Sequence, residues 1–298
     1  MQGILDWGVN VILWLQQFSP ALDLPFRVFT FLGEEDFILL LVPLIFWCVE
    51  RRVGARMVIL FLFSTYLNSV AKIVAAQPRP FEYDERVRAI VEATGGGLPS
   101  GHAQSTVVVW GFLAAKFRRT WLWIVAGLLM VFVPLSRVYL GVHFPTDVLG
   151  GCLIGALLLV GYLWLQPRAE ALLEKGGLAW QLGLAVAVPL ALLVIMLPVA
   201  DDSIISAMGV LLGGGVGLAL ERHWVRFASG GVWWKQVLRL ALGVAVVFAL
   251  RFGLKTAFGD AEPLWLFRLV RYAVMGLWFS LGAPWAFVQL RLAGREIG

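Results

Sequence analysis

Apolar residues run through this chain in long blocks broken by short polar connections. Nine such blocks fall at about residues 37–50, 57–76, 103–115, 121–135, 148–165, 178–199, 204–220, 237–254 and 264–290. About 20 apolar residues in helical form cross a bilayer, and none of the blocks alternates with period two, so the pattern argues against an outer-membrane barrel. The fold class expected is all-α, a polytopic membrane bundle of about nine transmembrane helices. Ahead of them, Ile4, Leu5, Gly8, Ile12 and Leu15 recur at helical spacing within residues 4–18, with Asp6, Asn10 and Gln17 elsewhere. That run is short for a crossing and predicts an N-terminal helix lying in the membrane interface. Ser19-Pro20 and Leu24-Pro25 break it, and Gly33-Glu34-Glu35-Asp36 is acidic enough to open the next helix.

The polar stretch 166–177 divides the blocks. The organisation expected is an interfacial segment over 1–36, a core of about five crossings over 37–166 and a further bundle of about four over 178–298. Composition agrees with a membrane chain: 60% of residues are hydrophobic and 14% charged, with a mean hydropathy of +0.84. The first ten residues lack a basic n-region, so no cleaved signal peptide is expected. Cys48 and Cys152 both fall inside apolar runs, which suits packed side chains better than a disulfide or a metal site. Neither a metal cluster nor a cofactor is expected.

A net charge of +5 raises nucleic acid as a partner, but the arginines are scattered between apolar runs and form no stripe. They report topology instead, because Lys and Arg in short loops stay on the cytoplasmic side. If crossings alternate, Arg51, Arg52 and Arg56, Lys116, Arg118 and Arg119, Arg168 and Lys175, Arg222, Arg226 and Lys235, and Arg291 and Arg295 share one face. Asp201-Asp202 and the loop 81–98 lie on the other. The arrangement expected is an integral plasma (inner) membrane protein with its N-terminus outside and its C-terminus cytoplasmic. Arg251, Lys255, Arg268 and Arg271 fall toward the outer end of the last hairpin, where pairing with Asp260 and Glu262 plus snorkelling competes with a second anion site.

Polar chemistry concentrates at the outer ends of the first five crossings. Leu98-Pro99-Ser100-Gly101-His102 runs from a glycine-rich loop into an apolar block, so Ser100 suits an N-cap and His102 the first helical turn. A helix N-terminus of this type binds anions, and a histidine there can pass a proton. Lys72 ends the second crossing, and Arg79-Pro80 follows; taken singly, a snorkelling lysine and a capping arginine suit these positions better than a site does. The fourth crossing ends at Ser136-Arg137, after which His143 and Asp147 stand four apart, close enough for the carboxylate to orient the ring. Alternation brings Lys72, Arg79, His102, Arg137, His143 and Asp147 to one membrane face. His223, among cytoplasmic arginines, reads as a solvated surface residue.

Lys72-x6-Arg79-Pro80, Pro99-Ser100-Gly101-His102 and Ser136-Arg137-x5-His143-x3-Asp147 together resemble the three-part signature of the type 2 phosphatidic acid phosphatase superfamily. No signature residue is substituted. The resemblance implies a membrane phosphatase without a metal or cofactor. In it His143 attacks phosphorus, Asp147 holds His143 in one tautomer, and His102 protonates the leaving oxygen. Lys72, Arg79, Ser100, Gly101 and Arg137 surround the phosphoryl oxygens. The substrate implied is a lipid phosphate or pyrophosphate at the outer face, among membrane lipids. The alternatives are a soluble phosphate ester, as in the glucose-6-phosphatase branch, or a non-catalytic phospholipid transporter or receptor.

Overall fold

In a computed structural model the chain is described over residues 2–259 and 264–296, and these residues are almost entirely helical. The helices are α1 (Gln2–Gln16), α2 (Asp23–Phe31), α3 (Glu35–Pro43), α4 (Arg51–Ala75), α5 (Pro80–Tyr83), α6 (Gly101–Phe117) and α7 (Thr120–Tyr139). They continue as α8 (Pro145–Lys175), α9 (Gly177–Met196), α10 (Asp202–Leu220), α11 (Trp233–Phe258), α12 (Trp265–Leu277) and α13 (Ala283–Gln289). Among the described residues there is no strand, only an isolated antiparallel bridge between Phe227 and Arg295.

Seven helical stretches, where nine crossings were expected, are long and apolar enough to span a bilayer among the described residues. The two blocks outside that number are short. Residues 37–50 form the nine-residue α3, which ends at Pro43 and passes into a π-helical turn at Leu44–Val49. Residues 103–115 form α6, which has 17 residues, or about 25 Å of helix at 1.5 Å per residue. Pro25, expected to break a helix, and the polar stretch 166–177, expected to divide the blocks, both lie partly within helices. Pro25 sits in the first turn of α2, where its missing N–H has no helical partner to lose. Pro167 lies within α8, which runs on through the polar stretch to Lys175.

The described chain divides into two compact units. The first comprises residues 2–38 and Leu67–Trp164. Its core joins Leu5, Val9 and Ile12 of α1 to Ala103 of α6, Val138 of α7 and Val148 of α8, with Val87 and Phe144 from the loops. The 3.6-residue period puts those α1 positions on one side. Helix α2 stacks Phe26 on Tyr139 and Phe29 on Phe132, with ring centroids 4.4 and 4.8 Å apart. Gln16 closes the end of α1 by donating from Nε2 to the carbonyls of Arg88, at 2.7 Å, and Tyr139, at 3.2 Å.

The second unit comprises Leu39–Tyr66 and residues 165–259 and 264–296. Helices α10 and α12 pack backbone to backbone: a Cβ built at Gly213 would lie 1.8 Å from the carbonyl oxygen of Ala273, so only glycine allows the approach. Arg239, 2% exposed, donates to the carbonyls of Trp47, Gly230 and Leu292 at 2.9, 2.7 and 3.0 Å. A buried guanidinium satisfied by carbonyls ties three chain segments together. Arg268 pairs with Asp202 at 3.1 Å, and Arg271 is buried with its guanidinium over Tyr272. The partners expected for this cluster, Asp260 and Glu262, lie outside the described residues.

Candidate active site

The site is assembled within the first unit where α6 and α8 begin. A Cβ at Gly151 would sit 2.4 Å from the Ser100 carbonyl oxygen, so this glycine lets α8 close onto the start of α6. Ser100 donates its N–H to the Asp147 carbonyl at 2.9 Å and accepts from the Gln104 N–H at 3.1 Å. It occupies the N-cap position, yet its hydroxyl makes no capping bond. Asn68 steadies the same corner, donating to Gln104 Oε1 at 2.8 Å beside Gly101.

His143 lies in the loop between α7 and α8, and its N–H donates to the Arg137 carbonyl at 3.3 Å. Only 2% of its surface is exposed, and Asp147 is fully buried. Ring Nδ1 stands 3.4 Å from Asp147 Oδ2, and Nε2 stands 3.5 Å from Arg79 Nη1. Asp147 is itself held, because Oδ2 accepts from the Phe144 N–H at 2.9 Å and Oδ1 from Gln77 Nε2 at 2.6 Å. The ring thus has one nitrogen toward a carboxylate and the other toward a guanidinium.

Arg79 is locked by three carbonyls: Nε donates to Gly95 and Nη1 to Val142, both at 2.9 Å, and Nη2 to Thr94 at 2.5 Å. Arg137, 4% exposed, donates from Nη1 to Thr30 Oγ1 at 2.6 Å. Burial first, then the charges of Arg137, Arg79 and Lys72 and the ring of His102, hold the His143 imidazole well below the ordinary histidine pKa. His143 is therefore neutral at neutral pH, the form that carries a nucleophilic lone pair.

Three buried polar atoms in this unit have no hydrogen-bond partner: Ser100 Oγ, His102 Nε2 and Arg137 Nε. Orphaned buried groups are rare and costly. Here they belong to Ser100, whose N–H bonds Asp147, and to His102 and Arg137, which act electrostatically on His143. All the residues singled out from the sequence, Lys72, Arg79, Ser100, Gly101, His102, Arg137, His143 and Asp147, fall in this unit. Gln77 and Thr30 were not singled out; each reaches its partner across a long sequence separation. Among the described residues no three His, Cys, Asp or Glu side chains group to hold a metal ion.

A family model described as the PAP2 superfamily matches residues 54–171. Phosphatidylglycerophosphatase B of Bacillus subtilis is 34% identical over 158 residues, covering 47% of this chain and 73% of that protein. The chain belongs to the PAP2 superfamily. A second PAP2 model, described as PAP2 superfamily phosphatase, transmembrane extension, matches residues 205–295 and so takes in α10 to α13. Undecaprenyl-diphosphatase of Sulfolobus acidocaldarius is 38% identical over 128 residues, 42% of this chain and 60% of that protein. Sphingosine-1-phosphate phosphatase 2 of Homo sapiens is 35% identical over 156 residues, 49% of this chain and 36% of that protein. The chain thus spans less than two thirds of the length of these last two relatives. The span of the PAP2 match includes the positions from Lys72 to Asp147.

Proposed function

We propose that this PAP2 superfamily member is a metal-independent membrane phosphatase that hydrolyses a lipid phosphate or pyrophosphate through a phosphohistidine. One observation carries the reading: the His143 ring stands with Nδ1 toward Asp147 and Nε2 toward Arg79, in the unit that also holds the orphaned polar atoms of Ser100, His102 and Arg137. A phosphoryl group supplies partners for all of them. At 3.4 Å the His143–Asp147 contact is long, and such contacts tighten when substrate binds.

In the first half-reaction the Nε2 lone pair of His143 bonds to phosphorus as the bond to the leaving oxygen breaks, and His102 gives that oxygen a proton. Asp147 supports the positive charge that the ring acquires. In the second half His102 takes a proton from water, the new oxygen bonds to phosphorus, the P–N bond breaks and phosphate leaves. Lys72, Arg79, Arg137, the Ser100 hydroxyl and the Gly101 N–H hold the phosphoryl oxygens throughout. Removing one preorganised donor of this type costs about 3 to 4 kcal/mol of transition-state stabilisation, so several together supply what a divalent ion provides elsewhere.

The lipid class is supported by the relatives, named for undecaprenyl diphosphate, sphingosine 1-phosphate and phosphatidylglycerophosphate. The charge pattern of the loops supports a plasma-membrane location with the N-terminus outside, the C-terminus cytoplasmic and the site outward. Phosphate release from phosphatidic acid, phosphatidylglycerophosphate, a polyprenyl pyrophosphate and glucose 6-phosphate, measured on purified protein in mixed micelles, tests the reading. Turnover of a lipid substrate is expected. Release from glucose 6-phosphate alone, or from none of the four, overturns it.

A further inference from the structure

The second unit holds a cavity of about 710 Å³ whose lining comes from the first half of α4, the end of α8, α9, α10 and the turn that follows α10 at Glu221 and Arg222. Ile59, Phe63, Leu184 and Val188 are among its walls, an apolar trough suited to an acyl chain. One end differs in chemistry. Arg56 there grips Glu170 through two bonds of 2.7 and 2.8 Å, and Arg222 grips Glu174 at 2.6 Å. Arg52 lines the same end and is exposed.

We propose that this cavity is a binding site for a phospholipid whose headgroup carries both a primary ammonium and a phosphate diester. The alternating charges select that head. A purely anionic head would have to displace Glu170 and Glu174 from their arginines and would offer those carboxylates no donor. A quaternary ammonium has no N–H to give them. A primary ammonium donates to the carboxylates while its phosphate accepts from the guanidiniums, so every charge keeps a partner of opposite sign. The pairs are within reach of such a ligand: the Arg222 and Glu174 side chains are 54% and 58% exposed, and those of Arg56 and Glu170 25% and 33%. Basic residues clustered where transmembrane helices meet the membrane surface form lipid-headgroup sites, and the tail extends naturally along the apolar wall.

The full chain, reconstituted in vesicles of equal parts phosphatidylethanolamine, phosphatidylglycerol and phosphatidylcholine, is re-extracted in mild detergent and weighed by native mass spectrometry. Phosphatidylethanolamine should be retained, enriched about tenfold over the other two, the scale of one charge-assisted hydrogen bond. Val188→Trp, at a position 45% exposed, fills the trough and should empty the site. The double variant Glu174→Gln, Arg222→Gln changes only half-exposed side chains, so it tests the head even if the tryptophan variant misfolds, and it should bring retention down to bulk proportions. Recovery of the three lipids as supplied, or enrichment of phosphatidylglycerol or phosphatidylcholine, overturns the proposal. Retention is read without turnover, so the result is independent of the catalytic proposal.

Discussion

Gln77 donates from Nε2 to Oδ1 of Asp147 at 2.6 Å, which leaves Oδ2 to the Phe144 N–H and the His143 ring. An amide that fixes one carboxylate oxygen also fixes the direction of the other, so in the proposed mechanism Gln77 positions the group that orients the nucleophile. Gln77→Leu should lower kcat by about 10- to 100-fold, the usual scale for a partner that orients a functional group, with KM little changed. A rise in KM at constant kcat would show that Gln77 serves substrate binding instead.

The two histidines should fail differently. In the proposed mechanism His143→Ala removes the nucleophile, so turnover and acid-labile phosphate labelling of the protein should both vanish. His102→Ala removes the proton donor, a contribution of about 10²- to 10⁴-fold, and p-nitrophenyl phosphate, whose leaving group needs little protonation, should suffer least. Equal losses across leaving groups would take His102 out of the acid role.

What was legible in the sequence is what is local in the chain. His143 and Asp147 stand four residues apart, and the Ser100-Gly101-His102 run opens α6, so their neighbourhood follows from spacing. Gln77 and Thr30 reach Asp147 and Arg137 across 70 and 107 residues, and only packing brings them together. Ser100 looks like a capping residue from its place in the chain, but its hydroxyl is orphaned among site residues. Helix lengths were misjudged where hydropathy and hydrogen bonding part company. Helix α8 continues through Pro167 into a polar tail because its end carries Glu170 and Glu174, which meet Arg56 and Arg222. Arg239 was invisible as a structural clamp, since its partners are carbonyls, which carry no sequence signal.

Activity should survive chelation. In the proposed mechanism cations and N–H donors take the place of a divalent ion around the phosphoryl group, so saturating EDTA is expected to leave the rate unchanged, and vanadate, which mimics five-coordinate phosphorus, to inhibit. Loss of activity in EDTA with recovery on added magnesium would overturn this account of charge stabilisation.

The neutral state of His143 also has a consequence for stability. Its folded pKa lies well below the ordinary value near 6.5, chiefly through burial and then through Arg137, Arg79 and Lys72. Between those two values the unfolded chain binds a proton that the folded chain refuses, so stability is full above about pH 6.5 and declines as pH falls. The melting temperature in detergent should drop from pH 7.5 to pH 5.5, and His143→Asn should flatten that slope by up to about 1.4 kcal/mol per pH unit. An unchanged slope would mean that His143 takes up its proton in the folded protein.

The last expectation concerns how substrate arrives. Helix α1 buries Leu5, Val9 and Ile12 against the unit that holds the site, and its Gly8 lies against Phe144, the residue after His143. Its other side exposes Ile4, Trp7 and Trp14, with Phe18 just beyond, and tryptophan at an exposed apolar surface favours the depth of lipid headgroups. A helix that backs the catalytic loop and faces the interface lets a lipid present its phosphate with the tail still in the bilayer. Extraction would cost about 0.8 kcal/mol per CH₂, which lateral entry avoids. Long-chain substrates should therefore exceed short-chain analogues in kcat/KM within the same vesicles. Trp7→Glu with Trp14→Glu should lower kcat/KM for the long-chain substrate while leaving hydrolysis of p-nitrophenyl phosphate near the unmodified rate. Equal kcat/KM for long and short chains, or equal loss on both substrates in the variant, would rule out entry along α1.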